Sequence, residues 1–298
     1  MKIYKPKFFA ILCVIFLCIT GTILIGCSVD KKSINTNASK PSPMGNDKVE
    51  ESEPVIPVVP EVHKPLSRNF TEGKLKYNDK AVTILMYHSI DYEKGNDLRV
   101  PKEKFREQMK YLKDNNFTTL SLQEVYDFLE NNKPIPEKSV AITLDDGYMD
   151  NYNNAFPVLK EFGQTAAIFA IIEAIDNDPH VITLAQAKEM EENGIDIESH
   201  CISHDHLEKM SYELQLDTLK KSKAFLEEKL NKEAYFIAYP YGTYNENTLK
   251  AAKEAGYKLG VTINSGMTHK KDGILTLRRV YVGAKYDMNT FINLVNRQ

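Results

Sequence analysis

The chain has 298 residues, 42% of them hydrophobic and 27% charged, with a formal net charge of −3. That balance suits a folded domain with a sizeable core and excludes a wholly disordered chain. A mildly acidic protein without a basic cluster argues against nucleic acid as a partner.

Residues 1–7 carry Lys2, Lys5 and Lys7, and residues 8–25 run almost without charge. A basic start followed by a short apolar run is the pattern of a secretory leader, although the run is also about long enough to cross a bilayer core. Leu24-Ile25-Gly26-Cys27 resembles the lipobox of bacterial lipoproteins, where cleavage before the cysteine leaves a lipid-modified N-terminus. The expectation is a leader over residues 1–26, lipid on Cys27, and a domain held at the outer face of the cell membrane. An uncleaved signal anchor would put the domain on the same side. Of the four cysteines, Cys13 and Cys18 lie in the leader and Cys27 takes the lipid. Cys201 alone remains, so no disulfide is expected and stability must come from the core.

Residues 28–77 are rich in Ser, Asn, Lys, Glu and Pro, with Pro54, Pro57, Pro60 and Pro65 breaking any periodicity. Such a stretch buries too little apolar surface to offset its ordering entropy. Residues 27–78 are therefore expected to be a flexible tether, extended where proline is frequent, and residues 79–298 the folded domain. In that domain short apolar runs at 82–87, 118–120, 140–144, 166–170, 196–199, 235–239, 259–261 and 277–282 have strand character. Between them, 102–115, 122–131, 151–162, 184–193, 212–230 and 245–255 have helical periodicity. Gly163, Gly194 and Gly256 fit C-terminal caps, and Ser121 and Ser211 fit N-caps. Repeated strand–helix alternation predicts an α/β fold with a parallel sheet, open or closed into a barrel. Ligands bind such folds at the C-terminal ends of the strands.

Chemistry-bearing residues cluster at those ends. The run 141–147 is a buried-looking strand closing in Asp145, Asp146 and Gly147. Successive strand residues point to opposite faces, so two adjacent acids share one site only where the strand is ending. An Asp-Gly turn with a capping acid would give the same residues. Beyond the strand at 196–199, His200 and His204 lie four residues apart, on one face if the segment turns helically, as paired metal ligands require. Joined with an acid from another strand end, they suggest an Asp-His-His metal site with open positions for water. His206 is taken as a loop residue. Pro240 and Gly242 fix a sharp loop after the strand at 235–239, where a backbone N–H could face a developing oxyanion and aromatic rings could flank a sugar.

Thr143-Leu144-Asp145-Asp146-Gly147, Ser199-His200 with His204, and Tyr239-Pro240-Tyr241-Gly242, in this order, resemble the motifs of the NodB-type polysaccharide deacetylases, carbohydrate esterase family 4. The resemblance implies a distorted, partly open (β/α) barrel. It also implies Asp145 as catalytic base, Asp146, His200 and His204 as ligands of a divalent metal, and the Tyr241 N–H in the oxyanion hole. Two departures matter. Ala238 stands where the family often has Arg, and Leu275-Thr276-Leu277-Arg278-Arg279 stands where it often has a Leu-x-His acid motif, with His269 nearby in a polar loop. With Met86-Tyr87-His88-Ser89-Ile90 at the first strand end, the chain looks like the intercellular-adhesin, poly-N-acetylglucosamine deacetylase branch. That likeness makes His88 the general acid and Arg279 the residue that orients the base.

The implied activity is metal-dependent hydrolysis of N-acetyl groups on a cell-wall or exported glycan, peptidoglycan or poly-N-acetylglucosamine, by a monomer. Zn²⁺ suits the ligands, as do Co²⁺, Ni²⁺ and Fe²⁺. Three rivals use overlapping features. A non-haem iron oxygenase shares the triad but sits on a β-sandwich. A xylan-type O-acetyl esterase shares the metal chemistry but depends less on an acid. A non-catalytic glycan-binding lipoprotein would fit the missing acid motif.

Overall fold

The short apolar runs of this chain are buried on both faces, which is why they read as near-continuous hydrophobic stretches rather than alternating ones. In the computed structural model, which describes residues 62–297, the elements in chain order are β1 (Leu75–Lys76), β2 (Thr83–Tyr87), α1 (Lys102–Asp114), β3 (Thr118–Leu120), α2 (Leu122–Asn131), β4 (Ile135–Pro136), β5 (Ser139–Asp146), α3 (Phe156–Phe162), β6 (Ala166–Ala170), α4 (Leu184–Glu192), β7 (Ile195–Ser199), α5 (Tyr212–Leu230), β8 (Phe236–Ala238), α6 (Glu246–Ala255), β9 (Leu259–Ser265), β10 (Leu277–Tyr281) and α7 (Met288–Val295). The expected leader, Cys27 and the tether up to residue 61 lie outside the described residues. No helix among the described residues is long and apolar enough to cross a membrane.

The parallel strands pair in the order β2-β10-β9-β8-β7-β6-β5, and β5 pairs back onto β2 through Thr83↔Val140 to Tyr87↔Leu144, closing a ring of seven. On its other edge β5 pairs first with β3 and then, from Thr143, with β6. The ring is distorted as expected. β7 meets β8 through the pair Ser199↔Ile237, and the β9–β10 register shifts between Leu277 and Arg279.

Period-two alternation sorts the strand residues onto two faces. Ile84, Ala141, Ala167, Phe169, Phe236, Leu259, Val261 and Leu277 form one cluster with Leu122, Val125 and Phe128 of α2. Leu85, Tyr87, Val140, Ile142, Leu144 and Ile168 join Phe105 and Met109 of α1 and Val158 and Leu159 of α3 in another. Asp145 keeps step with Ala141 and Arg279 with Leu277, so both belong to the first face. Caps set the helix ends. Ser121 makes a capping box with Glu124 and Ser211 accepts from the Leu214 N–H, while Gly163 and Gly256 end α3 and α6 in the left-handed region.

Four local expectations change. The helix foreseen at 151–162 opens as a π-turn over Asn151–Ala155, Asn245 caps α6 instead of joining it, and α7 adds a helix at the C-terminal end. Residues 62–78, expected in the tether, are fastened to the barrel. The Arg68 guanidinium donates to Glu124 Oε1 at 2.7 Å and Oε2 at 2.8 Å and to the Thr119 carbonyl at 2.6 Å, and β1 pairs with β4. Polar partners far along the chain hold this segment, and its composition carries no trace of them.

Candidate active site

The site forms where β2, β5, β7, β8, β9 and β10 end. A cleft of about 530 Å³ is lined by Met86, His88, Leu98, Asp145, Asp146, His200, His204, Tyr239, Tyr241, Gly242, Ile263 and Tyr281. Every residue foreseen for the metal, base, acid and oxyanion roles is on that lining. Arg279 is off the lining and bonds to Asp145, which is on it.

The two acids diverge because the backbone turns between them. Asp145 is the last residue of β5 with ordinary strand geometry, whereas Asp146 has φ 74° and Gly147 φ 73°. Both lie in the left-handed region, which is uncommon for a non-glycine residue. Asp145 is 2% exposed and meets Arg279, 1% exposed, in a bidentate pair: Nη1 donates to Oδ1 at 2.7 Å and Nη2 to Oδ2 at 2.6 Å. The guanidinium is itself held by the Thr262 carbonyl at 2.9 Å and Thr143 Oγ1 at 3.1 Å. Burial alone would raise the Asp145 carboxyl, but the charge and hydrogen bonds of Arg279 outweigh it and hold it down at about 2. Asp145 is therefore ionised at neutral pH.

Asp146, His200 and His204 each offer one ligand atom, and these lie within 4.8 Å of one another. Asp146 Oδ1 is 3.4 Å from His200 Nε2 and 3.6 Å from His204 Nε2. His200 Nδ1 lies 2.7 Å from the Ala238 carbonyl, an acceptor. That bond puts the proton on Nδ1 and leaves the Nε2 lone pair facing Asp146. One carboxylate oxygen and two imidazole nitrogens suit a divalent ion and leave further coordination positions open. Burial lowers the His204 imidazolium and the nearby His200 lowers it further. For His200, burial is outweighed by Asp146 and Asp145, and the net direction is up. The imidazoles meet without a helical turn. Cys201 takes φ 68°, the Ile172 and Glu173 N–H groups donate to the Cys201 and Ile202 carbonyls, and the bent loop sets the rings 4.9 Å apart.

His88 Nε2 lies 3.9 Å from Asp145 Oδ2, with the side chain 16% exposed. Among the described residues its buried Nδ1 has no hydrogen-bond partner. His269 precedes the turn Lys270–Asp272 and is not on the cleft lining. Tyr241 takes φ 58° and ψ 6° between Pro240 and Gly242, as a sharp loop requires. A Cβ on Gly242 would come within 2.6 Å of the Ile263 backbone nitrogen, so only glycine lets this loop lie against β9.

Sequence reasoning passed over three residues. Asp150 accepts from Ser89 Oγ at 2.6 Å and the Ile90 N–H at 2.7 Å, and Asn151 donates to the His88 carbonyl at 2.9 Å. Together they hold the loop that presents His88. Burial, then the charge of the nearby Asp146, pushes the Tyr148 hydroxyl up to about 12. All three follow Asp145-Asp146-Gly147 within four residues, and that proximity was the available signal.

The profile of the family described as polysaccharide deacetylase matches residues 132–260, which include both acids, both metal-site histidines and Tyr241 but neither His88 nor Arg279. YxkH of Bacillus subtilis, whose name assigns it to the polysaccharide deacetylases, is 41% identical over 83% of this chain and 85% of its own length. The poly-beta-1,6-N-acetyl-D-glucosamine N-deacetylase of Staphylococcus epidermidis is 30% identical over 67% of this chain and 78% of that protein. Among solved structures, the Streptococcus pyogenes deacetylase PplD in complex with acetate is similar with a TM-score of 0.70 and 34% identity, over 73% of this chain and 99% of PplD.

Proposed function

The chain belongs to the polysaccharide deacetylase family, and on that footing we propose that it hydrolyses N-acetyl groups of an extracellular N-acetylglucosamine polysaccharide, peptidoglycan or poly-N-acetylglucosamine, with a divalent metal, Zn²⁺ first among the candidates. The observation that carries the proposal is the juxtaposition of two unlike acids. Asp146 belongs to a three-ligand cluster with His200 and His204, while Asp145 is buried, ionised and placed between Arg279 and His88.

Asp146, His200 and His204 would hold the ion. Bound there, it supplies a Lewis acid that polarises an acetyl oxygen and acidifies a water. Asp145 takes the proton of the attacking water. Arg279 fixes the direction of that carboxylate through two parallel bonds, a geometry no lysine reproduces. The Tyr241 N–H, turned by the left-handed backbone, faces the oxyanion as it develops. His88 delivers a proton to the departing sugar nitrogen, since an amine leaves poorly unless protonated. Lipid on Cys27 and a tether would keep the domain outside the cytoplasmic membrane as a monomer; Leu24-Ile25-Gly26-Cys27 is the support for that placement.

Acetate release from peptidoglycan, poly-N-acetylglucosamine and acetylated xylan, with chelator and with Zn²⁺, Co²⁺, Ni²⁺ or Fe²⁺ added back, tests this. Chelator-sensitive release from either N-acetylated glycan is expected. Release from xylan alone would make the protein an O-acetyl esterase, and glycan binding by metal-loaded protein without any release would make it a binding protein.

A further inference from the structure

Tyr241 is held in a conformation that its own residue type disfavours. A tyrosine at φ 58° crowds its Cβ against the following carbonyl, and the residue is 47% exposed, so burial does little to keep it there. What touches the ring is a second imidazole. The His206 ring lies face to face with it, centroids 4.0 Å apart and planes 11° apart, while His204 meets it at 4.3 Å with a tilt of 58°. His206 is itself pinned. Its Nδ1 lies 3.2 Å from Glu208 Oε1, whose other oxygen accepts from Thr243 Oγ1 at 2.6 Å. Thr243 directly follows Gly242, and Asn245 Nδ2 donates to the Glu208 carbonyl at 3.1 Å. The loop after β7 and the loop after β8 are thus joined by a polar clasp and an aromatic stack, and Tyr241 sits where they meet.

We propose that His206, clasped by Glu208 and Thr243, is a positioning residue whose ring holds Tyr241 in its left-handed conformation and so aims the Tyr241 N–H into the cleft. The inference rests on the deacetylase reading of the site. His206 acts through Tyr241, by a stacked ring rather than by ligation or proton transfer. A flat ring without nitrogen keeps the stack though not the contact with Glu208, and a methyl group keeps neither.

The test compares His206→Ala and His206→Phe with the wild type in acetate release, in metal stoichiometry and in crystal structures of the metal-free proteins. His206→Ala is expected to lower kcat about tenfold with KM little changed, because displacement of one oxyanion donor acts after substrate binds. His206→Phe is expected to restore kcat to within about threefold of the wild type, since the aromatic stack is kept. Metal content is expected to be equal in all three, with Tyr241 leaving positive φ in His206→Ala alone. The proposal is overturned if His206→Ala matches the wild type in kcat, if His206→Phe is as slow as His206→Ala, or if His206→Ala loses metal. Should the wild type release no acetate from any glycan, the deacetylase reading fails, and the Tyr241 backbone in the three structures still decides whether the stack holds it.

Discussion

Arg279→Met tests whether the Asp145–Arg279 pair is a buried charge pair or an incidental contact. The guanidinium gives both Asp145 oxygens a bond under 2.8 Å, and neither side chain is more than 3% exposed. Removal leaves a carboxylate with its desolvation penalty and without its partner, which costs about 3–5 kcal/mol in comparable buried pairs. The pH dependence gives an independent magnitude. The Asp145 carboxyl is depressed to about 2 from its ordinary value of 3.8, which corresponds to roughly 2–3 kcal/mol. Because the folded value is the lower one, the contribution is present above pH 3.8 and is lost as pH falls through about 2. Urea unfolding of chelated protein at pH 7 and at pH 2.5 should therefore show Arg279→Met losing several kcal/mol at the higher pH and less at the lower. Asp145→Asn combined with Arg279→Met should recover part of the loss at pH 7, since no charge is then stranded. A destabilisation of Arg279→Met below about 1 kcal/mol at pH 7, or one identical at both pH values, would refute the argument.

His200→Ala removes a proposed ligand whose Nε2 is preset by the Ala238 carbonyl, so bound metal, read by elemental analysis after dialysis, should fall well below one per chain, whereas Asp145→Asn should keep metal and lose about 10²–10⁴-fold in kcat. Gly242→Ala puts a Cβ 2.5 Å from Ile263 Cγ1 at φ 66°, and should cost about 1–3 kcal/mol in unfolding free energy together with a loss of kcat. Lys232 is buried among Glu191, Asp196 and Glu198, with Nζ 2.6 Å from Glu191 Oε1 and 3.2 Å from Glu198 Oε1. Burial raises Glu191 to about 7 and pushes Glu198 up as well. An acid with a raised folded value contributes stability at low pH that is lost as pH rises through it, so Lys232→Met should be destabilised more at pH 8 than at pH 5, by urea titration.

What the sequence made legible was local. Asp145-Asp146-Gly147 and His200 with His204 each occupy a few consecutive positions behind an apolar run, and strand–helix alternation placed those runs side by side. Ser121 and Ser211 were readable as caps because a cap bonds to its own helix within three residues. What escaped was long-range and polar. Arg279 and Asp145 are 134 residues apart, and Arg68 reaches Glu124 across 56. Neither pairing produces a periodicity, and the likeness to a branch of the family, not the pattern, pointed to Arg279. The fastening of residues 62–78 had no such help, so a polar, charged segment continuing the proline-broken stretch before it read as tether. The clasp of His206, Glu208 and Thr243 escaped for the same reason: its members sit on two loops that only the ring of strands brings together.

The division of labour between the two acids follows from one backbone angle. Had Asp146 continued β5 with ordinary strand geometry, it would have faced away from Asp145, towards the helices packed over Leu144 and Ile142. Its φ of 74° turns it back to the cleft mouth, where His200 and His204 stand, while Asp145 keeps the strand's inward direction, towards Arg279. The partners then fix the chemistry. A guanidinium cannot lose its proton in this range, so it holds Asp145 as a carboxylate, the form the proposed base requires. The Asp146 carboxylate beside the His200 and His204 ring nitrogens makes a site that suits a cation. An Asp146→Glu exchange would lengthen the side chain by one methylene and move its oxygen out of reach of a centre shared by His200 and His204, although charge and hydrogen-bonding capacity are kept. The turn therefore selects aspartate twice over, by its tolerance of a left-handed backbone and by its reach.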